Sequence, residues 1–117
     1  MEKSFRNLIV WKRMQELVVL VYELTKNLPP DEKYGLTSQM RRAVVSVLSN
    51  FVEGYLKRSK KEKLLYLERS GTSLLELEAQ AEVCVALNYF SSKNYERFDS
   101  KRAEVGYLLY RYKRKLL

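Results

Sequence analysis

Apolar residues recur at spacings of three and four along four stretches of this 117-residue chain. In the first, about residues 5–28, Trp11, Met14, Val18, Val21, Tyr22, Thr25 and Leu28 share one face of a helix. Pro29-Pro30 closes it, because the residue before a proline is driven out of the helical region. The second stretch, about 36–56, carries Leu36, Met40, Ala43, Val44, Val47, Leu48 and Phe51 on its main apolar face. Gly54 reads as its C-cap, with Lys57-Arg58 well placed beyond the negative end of the helix. Ser59 followed by Glu62 is a capping box, which opens a third helix over about 60–87. There Leu67, Ser70, Leu74, Leu77, Ala81 and Cys84 form a heptad seam, and Ser70, Gly71 and Ser73 leave room for a neighbouring backbone. Asn88 reads as the terminator and Ser91 or Ser92 as the N-cap of a fourth helix, about 92–115. Its seam is Tyr95, Phe98, Arg102, Val105, Leu109, Tyr112 and Leu116, with Arg102 the one polar member. Four helices joined by short links predict an all-α antiparallel up-down-up-down bundle, a single domain over 1–117.

The second helix also carries a polar stripe. At 100° per residue, Gln39, Arg42, Ser46, Ser49, Asn50 and Glu53 fall within about 100° of arc. The main apolar face flanks this stripe on one side, and Val45, Val52 and Leu56 flank it on the other. A helix buried on both sides would show this pattern, with one flank in the bundle and the other against a second copy of the chain. The interface set is then Gln39, Arg42, Val45, Ser46, Ser49, Asn50, Val52, Glu53 and Leu56, with Arg42 facing Asn50 or Glu53 of the neighbour. A hydrogen-bond network satisfied within one chain is the alternative.

Charge changes the picture next. Twenty-two Lys plus Arg against fourteen Asp plus Glu give +8, and histidine is absent. The excess is uneven: residues 57–69 carry +4 and residues 93–117 carry +5, whereas residues 70–92 carry −3. In the expected bundle the end of helix 2, the start of helix 3 and the end of helix 4 share one pole. Phosphate backbone is the natural partner of such a pole. The candidate phosphate contacts are Arg41, Lys57, Arg58, Lys60, Lys61, Lys63, Arg111, Lys113, Arg114 and Lys115. Solvated faces and compensation of helix-end dipoles are the plainer account of the same cations. Tyr55, Tyr66, Tyr107 and Tyr110 could stack on bases, although tyrosine at helical spacing ordinarily packs with its hydroxyl at the rim.

Composition argues against catalysis. Without histidine there is no imidazole base, no Ser-His-Asp or Cys-His site, and no imidazole metal ligand. Cys84, the single cysteine, cannot form an intrachain disulfide and occupies a seam position, so it reads as a buried small hydrophobe in a reducing compartment. Glu78 and Glu82 share a helix face and could hold Mg²⁺, but ion pairs with nearby cations explain them more simply. No catalytic residue, metal ligand or cofactor is assigned. The longest apolar run near the start, Leu17–Tyr22, is too short to span a membrane or act as a signal peptide, so a cytoplasmic protein is expected.

The motifs in order resemble a known family. They are Phe5-x-x-Leu8-x-Val10-Trp11, Val21-Tyr22-x-Leu24-Thr25, Glu32-x-Tyr34-Gly35-Leu36-x-x-Gln39-x-Arg41-Arg42-Ala43, Ser46-x-x-x-Asn50-x-x-Glu53-Gly54, Arg58-Ser59-x-x-Glu62, Ser70 and Ser73-x-x-Glu76-Leu77-Glu78. Together they are similar to the bacterial 23S rRNA intervening-sequence proteins, over nearly the whole chain. Phe51-Val52 departs from the family's usual Ile-Ala, and Asn88 from its usual glycine. The resemblance implies a four-helix bundle that assembles into a homopentamer, in some members encoded within ribosomal RNA genes. It also implies a related branch that accompanies the reverse transcriptase of diversity-generating retroelements. It implies no catalytic residues.

The expected function is therefore a non-enzymatic, oligomeric nucleic-acid-binding accessory protein, for RNA rather than DNA. The alternative is an interaction scaffold that docks a partner enzyme such as a reverse transcriptase, with little affinity for nucleic acid of its own.

Overall fold

A computed structural model describes residues 4–117. Its helices are α1 (Ile9–Thr25), α2 (Leu36–Leu56), α3 (Lys60–Ala86) and α4 (Ser92–Lys115), with 3-10 turns at Phe5–Asn7 and Pro30–Glu32. No strand occurs among the described residues.

The first helix is shorter than its apolar pattern at both ends. Leu8 is extended (φ −79°, ψ 135°), which splits Phe5–Asn7 into a separate turn capped by Ser4. Phe5 folds back edge-on to Trp11, 5.7 Å between centroids, so it joins the apolar surface without continuing the helix. At the other end Lys26, Asn27 and Leu28 bond to carbonyls three residues back, tightening the chain before Pro29.

Other boundaries follow local chemistry. The Ser59 hydroxyl oxygen accepts the Glu62 N–H, and its O–H reaches the Glu62 carboxylate, both at 3.1 Å. Ser91 caps α4 by accepting the Asn94 N–H. After α3, Asn88 adopts φ 63°; Tyr89 N–H reaches the Cys84 carbonyl and Asn88 N–H the Val85 carbonyl, a Schellman ending.

Gly54 is not the C-cap of α2, which continues to Leu56. It is buried where α2 meets α3. A Cβ there would lie 3.1 Å from the Lys63 carbonyl oxygen, 3.1 Å from Tyr66 Cβ and 3.3 Å from Leu67 Cγ. Above this point the Ser70 hydroxyl donates to the Val47 carbonyl at 2.6 Å, and the Ser46 and Ser73 hydroxyls meet at 2.8 Å.

Each helix packs on the next, and α4 returns to α1, around a core that includes Met14, Leu17, Met40, Phe51, Leu67, Leu77 and Phe98. On the α1–α4 flank, Arg13 meets Glu104 (3.2 Å), Glu16 meets Lys101 (2.7 Å) and Glu23 meets Arg97 (3.2 Å). Between α3 and α4, Glu78 faces Arg102 (3.7 Å) and Glu82 faces Tyr95 (2.5 Å). The particle measures 46 × 25 × 22 Å. No helix among the described residues is long and apolar enough to cross a membrane.

Gly54→Ala should lower the urea midpoint. Overpacking against a backbone carbonyl costs about 1–3 kcal/mol, more than the gain of about 1 kcal/mol from replacing a helical glycine. Gly71→Ala, whose methyl would meet only Leu109 Cδ2 at 3.9 Å, should raise it. Equal midpoints for Gly54→Ala and the parent would refute the close approach.

Candidate nucleic-acid interface

Tyr112 brings the end of α4 onto the end of α2: its ring lies 5.3 Å from Phe51, edge-on, and 6.2 Å from Tyr55. Lys63, one turn into α3, donates its ammonium to the Tyr55 carbonyl at 2.8 Å. Leu8, Ile9 and Val10 at the start of α1 complete this end, lining a cleft with Leu108, Arg111 and Lys115. Lys57, Arg58, Lys60, Lys61, Lys63, Arg111, Lys113, Arg114 and Lys115 therefore gather at one pole.

Arg41 lies elsewhere. It stands sixteen residues before Lys57 on the same helix, about 24 Å along its axis. Its guanidinium donates to Thr25 Oγ1 (2.9 Å) and the Tyr22 carbonyl (3.3 Å), and stacks on the Tyr22 ring at 4.6 Å. It closes the C-terminus of α1 and does not join the basic pole.

Within the pole, several cations rest on aromatic rings. Lys57 sits 5.0 Å above Tyr66 and 3.7 Å from Glu53. Lys63 also lies over Tyr55, Arg111 over Tyr107 at 5.8 Å, and Arg114 donates to the Tyr110 hydroxyl at 3.0 Å. Lys113 is half-buried between α3 and α4, beside Gly71 and Leu75. Arg69 covers the Tyr66 ring at 4.9 Å and belongs with the pole; the Tyr66–Arg69 spacing of three was its sequence signal.

Arg58, Lys60 and Lys61 are exposed, and no described carboxylate is within ion-pair distance of them. Lys57 and Arg58 follow the C-terminus of α2, and Lys113, Arg114 and Lys115 occupy the last turn of α4, where a helix dipole favours cations. Lys60 and Lys61 are in the first turn of α3, where it disfavours them, and Glu62 is the only acid there.

The polar stripe of α2 divides. Asn50 donates to the Ser46 carbonyl and hydroxyl, both at 2.9 Å, and Ser46 meets Ser73 across the α2–α3 contact. The Ser49 hydroxyl turns back to the Ser46 carbonyl, and Val52 packs against the core. The Asn50 amide nitrogen and the Ser46 hydroxyl thus bond within the chain, whereas a neighbour's Arg42, which only donates, would address the Asn50 Oδ1, an atom outside those bonds. Gln39, Arg42, Val45, Ser49, Glu53 and Leu56 remain exposed. Beside them, in a cleft lined by Gln39, Arg42, Ser73 and Glu76, the Gln80 side-chain oxygen is buried without a hydrogen-bond partner.

The titratable groups elsewhere are bound into packing. Arg102 bridges Asp99 (2.8 Å) and Glu78. Glu82 accepts from Tyr95, a hydrogen bond that pushes the phenol up to about 12. No group of three metal-ligating side chains occurs among the described residues. Cys84 is fully buried with its sulfur 3.6 Å from that of Met40, and burial pushes the thiol up to about 11.

Residues 6–111 match the family profile described as 23S rRNA-intervening sequence protein. Among solved structures, a protein of unknown function from the S23 ribosomal protein family of Bacteroides thetaiotaomicron superposes with a TM-score of 0.83 at 21% identity. The alignment covers 91% of this chain and 96% of that one, and it shows a shared fold. No protein of curated function matches the sequence.

Cys84 should resist a water-soluble thiol reagent at pH 8 and react only as fast as the chain unfolds. Its raised folded pKa favours the protonated thiol. The matching stability is complete below the ordinary value of 9.0 and is lost as pH rises through about 11. Rapid labelling of the native protein would contradict this burial.

Proposed function

The chain belongs to the 23S rRNA-intervening sequence protein family, and from that premise we propose that it is a non-enzymatic RNA-binding accessory protein of the cytoplasm. In this reading the four helices form an antiparallel up-down-up-down bundle whose basic pole contacts phosphate. Copies assemble through the exposed part of the α2 stripe, as a pentamer if the sequence resemblance extends to assembly. The single observation that carries the reading is the placement of Lys60 and Lys61. Compensation of helix ends accounts for cations at the ends of α2 and α4, but it works against cations in the first turn of α3. An external anion supplies what the fold does not.

A partner enzyme, such as a reverse transcriptase, docked on the same pole is the second reading. It is favoured by the apolar cleft of Leu8, Ile9, Val10 and Leu108 beside Arg111 and Lys115, which suits a protein side chain better than a phosphate.

Filter binding to a structured RNA separates the two. About six phosphate contacts predict roughly a thousandfold loss of affinity between 50 and 200 mM salt. Binding that is absent, or indifferent to salt, overturns the RNA reading, and co-purification of one protein with little RNA affinity supports the second.

Val45→Glu should yield a monomer by light scattering with its helical circular dichroism retained, because Val45 is exposed on α2 and lies outside the buried core. Asn50→Lys should also dissociate the assembly, but with some loss of stability, since it breaks the Ser46 hydrogen bonds. Unchanged assembly in Val45→Glu refutes the interface.

A further inference from the structure

The last turns of α4 differ from the rest of that helix in how they treat their cations. In its first half Arg97, Lys101 and Arg102 all reach carboxylates. After Glu104 the chain contains no acidic residue. Arg111 and Arg114 instead accompany tyrosines one turn earlier: Arg111 lies over the Tyr107 ring at 5.8 Å, and Arg114 over the Tyr110 ring at 5.9 Å. At 100° per residue these four side chains share about 100° of arc, so they form one face. Tyr107 is 59% exposed and Tyr110 54%, unlike Tyr112, which packs on Phe51. Two large rings thus stand in water beside two guanidinium groups that form no ion pair with a carboxylate among the described residues.

From this face, and resting on the RNA-binding reading above, we infer that the C-terminal half of α4 stacks on unpaired bases, so that the pole takes single-stranded RNA in preference to duplex. In a duplex the base faces are covered by their neighbours, and only phosphates and groove edges are open to a convex helix. In a single strand an open tyrosine ring offers a stacking platform that tolerates any base, while the neighbouring guanidinium meets the phosphate or stacks beside the ring. The cations after Glu104, where α4 itself carries no acid, provide the charge complementarity, and the exposed rings add what phosphate contacts alone lack, a distinction between paired and unpaired strands.

The test measures binding of an unstructured single-stranded RNA and of a duplex of the same length, at one salt concentration. The proteins compared are the parent, Tyr107→Ala/Tyr110→Ala and Tyr107→Phe/Tyr110→Phe. The alanine pair leaves the charge unaltered and removes no core contact, and circular dichroism checks that the helices persist. The inference expects the parent to favour the single strand and the alanine pair to lose single-strand affinity by roughly tenfold or more, with duplex binding unchanged. The phenylalanine pair should keep the parent's preference, since it retains both rings. Equal loss on both RNAs, or no loss on either, overturns the inference while leaving phosphate binding intact. No binding of either RNA by the parent overturns both readings.

Discussion

The approach of α2 to α3 at Gly54 sets the geometry of everything around it. With no side chain at that position, the Lys63 carbonyl comes nearer than a Cβ would comfortably allow, and the two helices are joined by only Lys57, Arg58 and Ser59. So short a link places five cations within seven residues, Lys57 to Lys63, around a single corner. The same closeness lets short hydroxyls span the contact higher up, where Ser70 reaches a carbonyl of α2 and Ser46 reaches Ser73. Larger residues at these positions would push the helices apart and leave those buried polar groups without partners, at about 1–3 kcal/mol each.

Concentrating like charge at one corner costs energy, and the molecule treats the cations there differently from those elsewhere. Along the α1–α4 flank, Arg13, Glu16, Lys101 and Glu104 form a connected network of alternating sign, which cancels their field toward solvent. At the pole the partners are mostly rings: Tyr66 between Lys57 and Arg69, Tyr55 under Lys63, Tyr107 and Tyr110 beside Arg111 and Arg114. A cation over an exposed ring gains about 0.5–1 kcal/mol, yet keeps its full charge for anything that approaches. Salt bridges would stabilise the corner and erase its field. Rings stabilise it and preserve the field. Four of the nine tyrosines, Tyr55, Tyr66, Tyr107 and Tyr110, acquire a physical reason on this basis.

Most of the fold was legible in the sequence because helix periodicity and capping are local. The Ser59 and Ser91 caps, the Asn88 terminator and the start of α2 all follow from a few adjacent residues. Gly54 was misread for the complementary reason: a glycine near a helix end signals a cap, and only the partner helix reveals that it marks a contact. The extra turn at Phe5–Asn7 deceived similarly, since nothing local marks Leu8 as the extended residue that splits it from α1. For the candidate site, the charge distribution pointed to one end of the bundle, but it could not tell which cations gather there. Arg41 stood among the candidate phosphate contacts, and its bonds to Tyr22 and Thr25 depend on where α1 ends. The polar stripe posed the hardest case. Its composition suits both a neighbouring chain and a neighbouring helix, and the structure gives Ser46 and Asn50 to the helix while Gln39, Arg42, Val45 and Leu56 stay outside.

That division bears on how the two proposed activities respond to salt. Chains carrying +8 each repel one another, so bringing copies together through Val45 and Leu56 works against their own field, and added salt screens that repulsion. Phosphate binding has the opposite dependence, because each contact releases counterions that a salty solution no longer welcomes. If several poles must act on one RNA, the apparent affinity reflects both processes: few assembled poles at very low salt, weak individual contacts at high salt. RNA itself shifts this balance, since neutralising the poles removes the charge that opposes assembly. Binding and assembly are then thermodynamically linked, each strengthening the other, even with no change in the shape of the bundle.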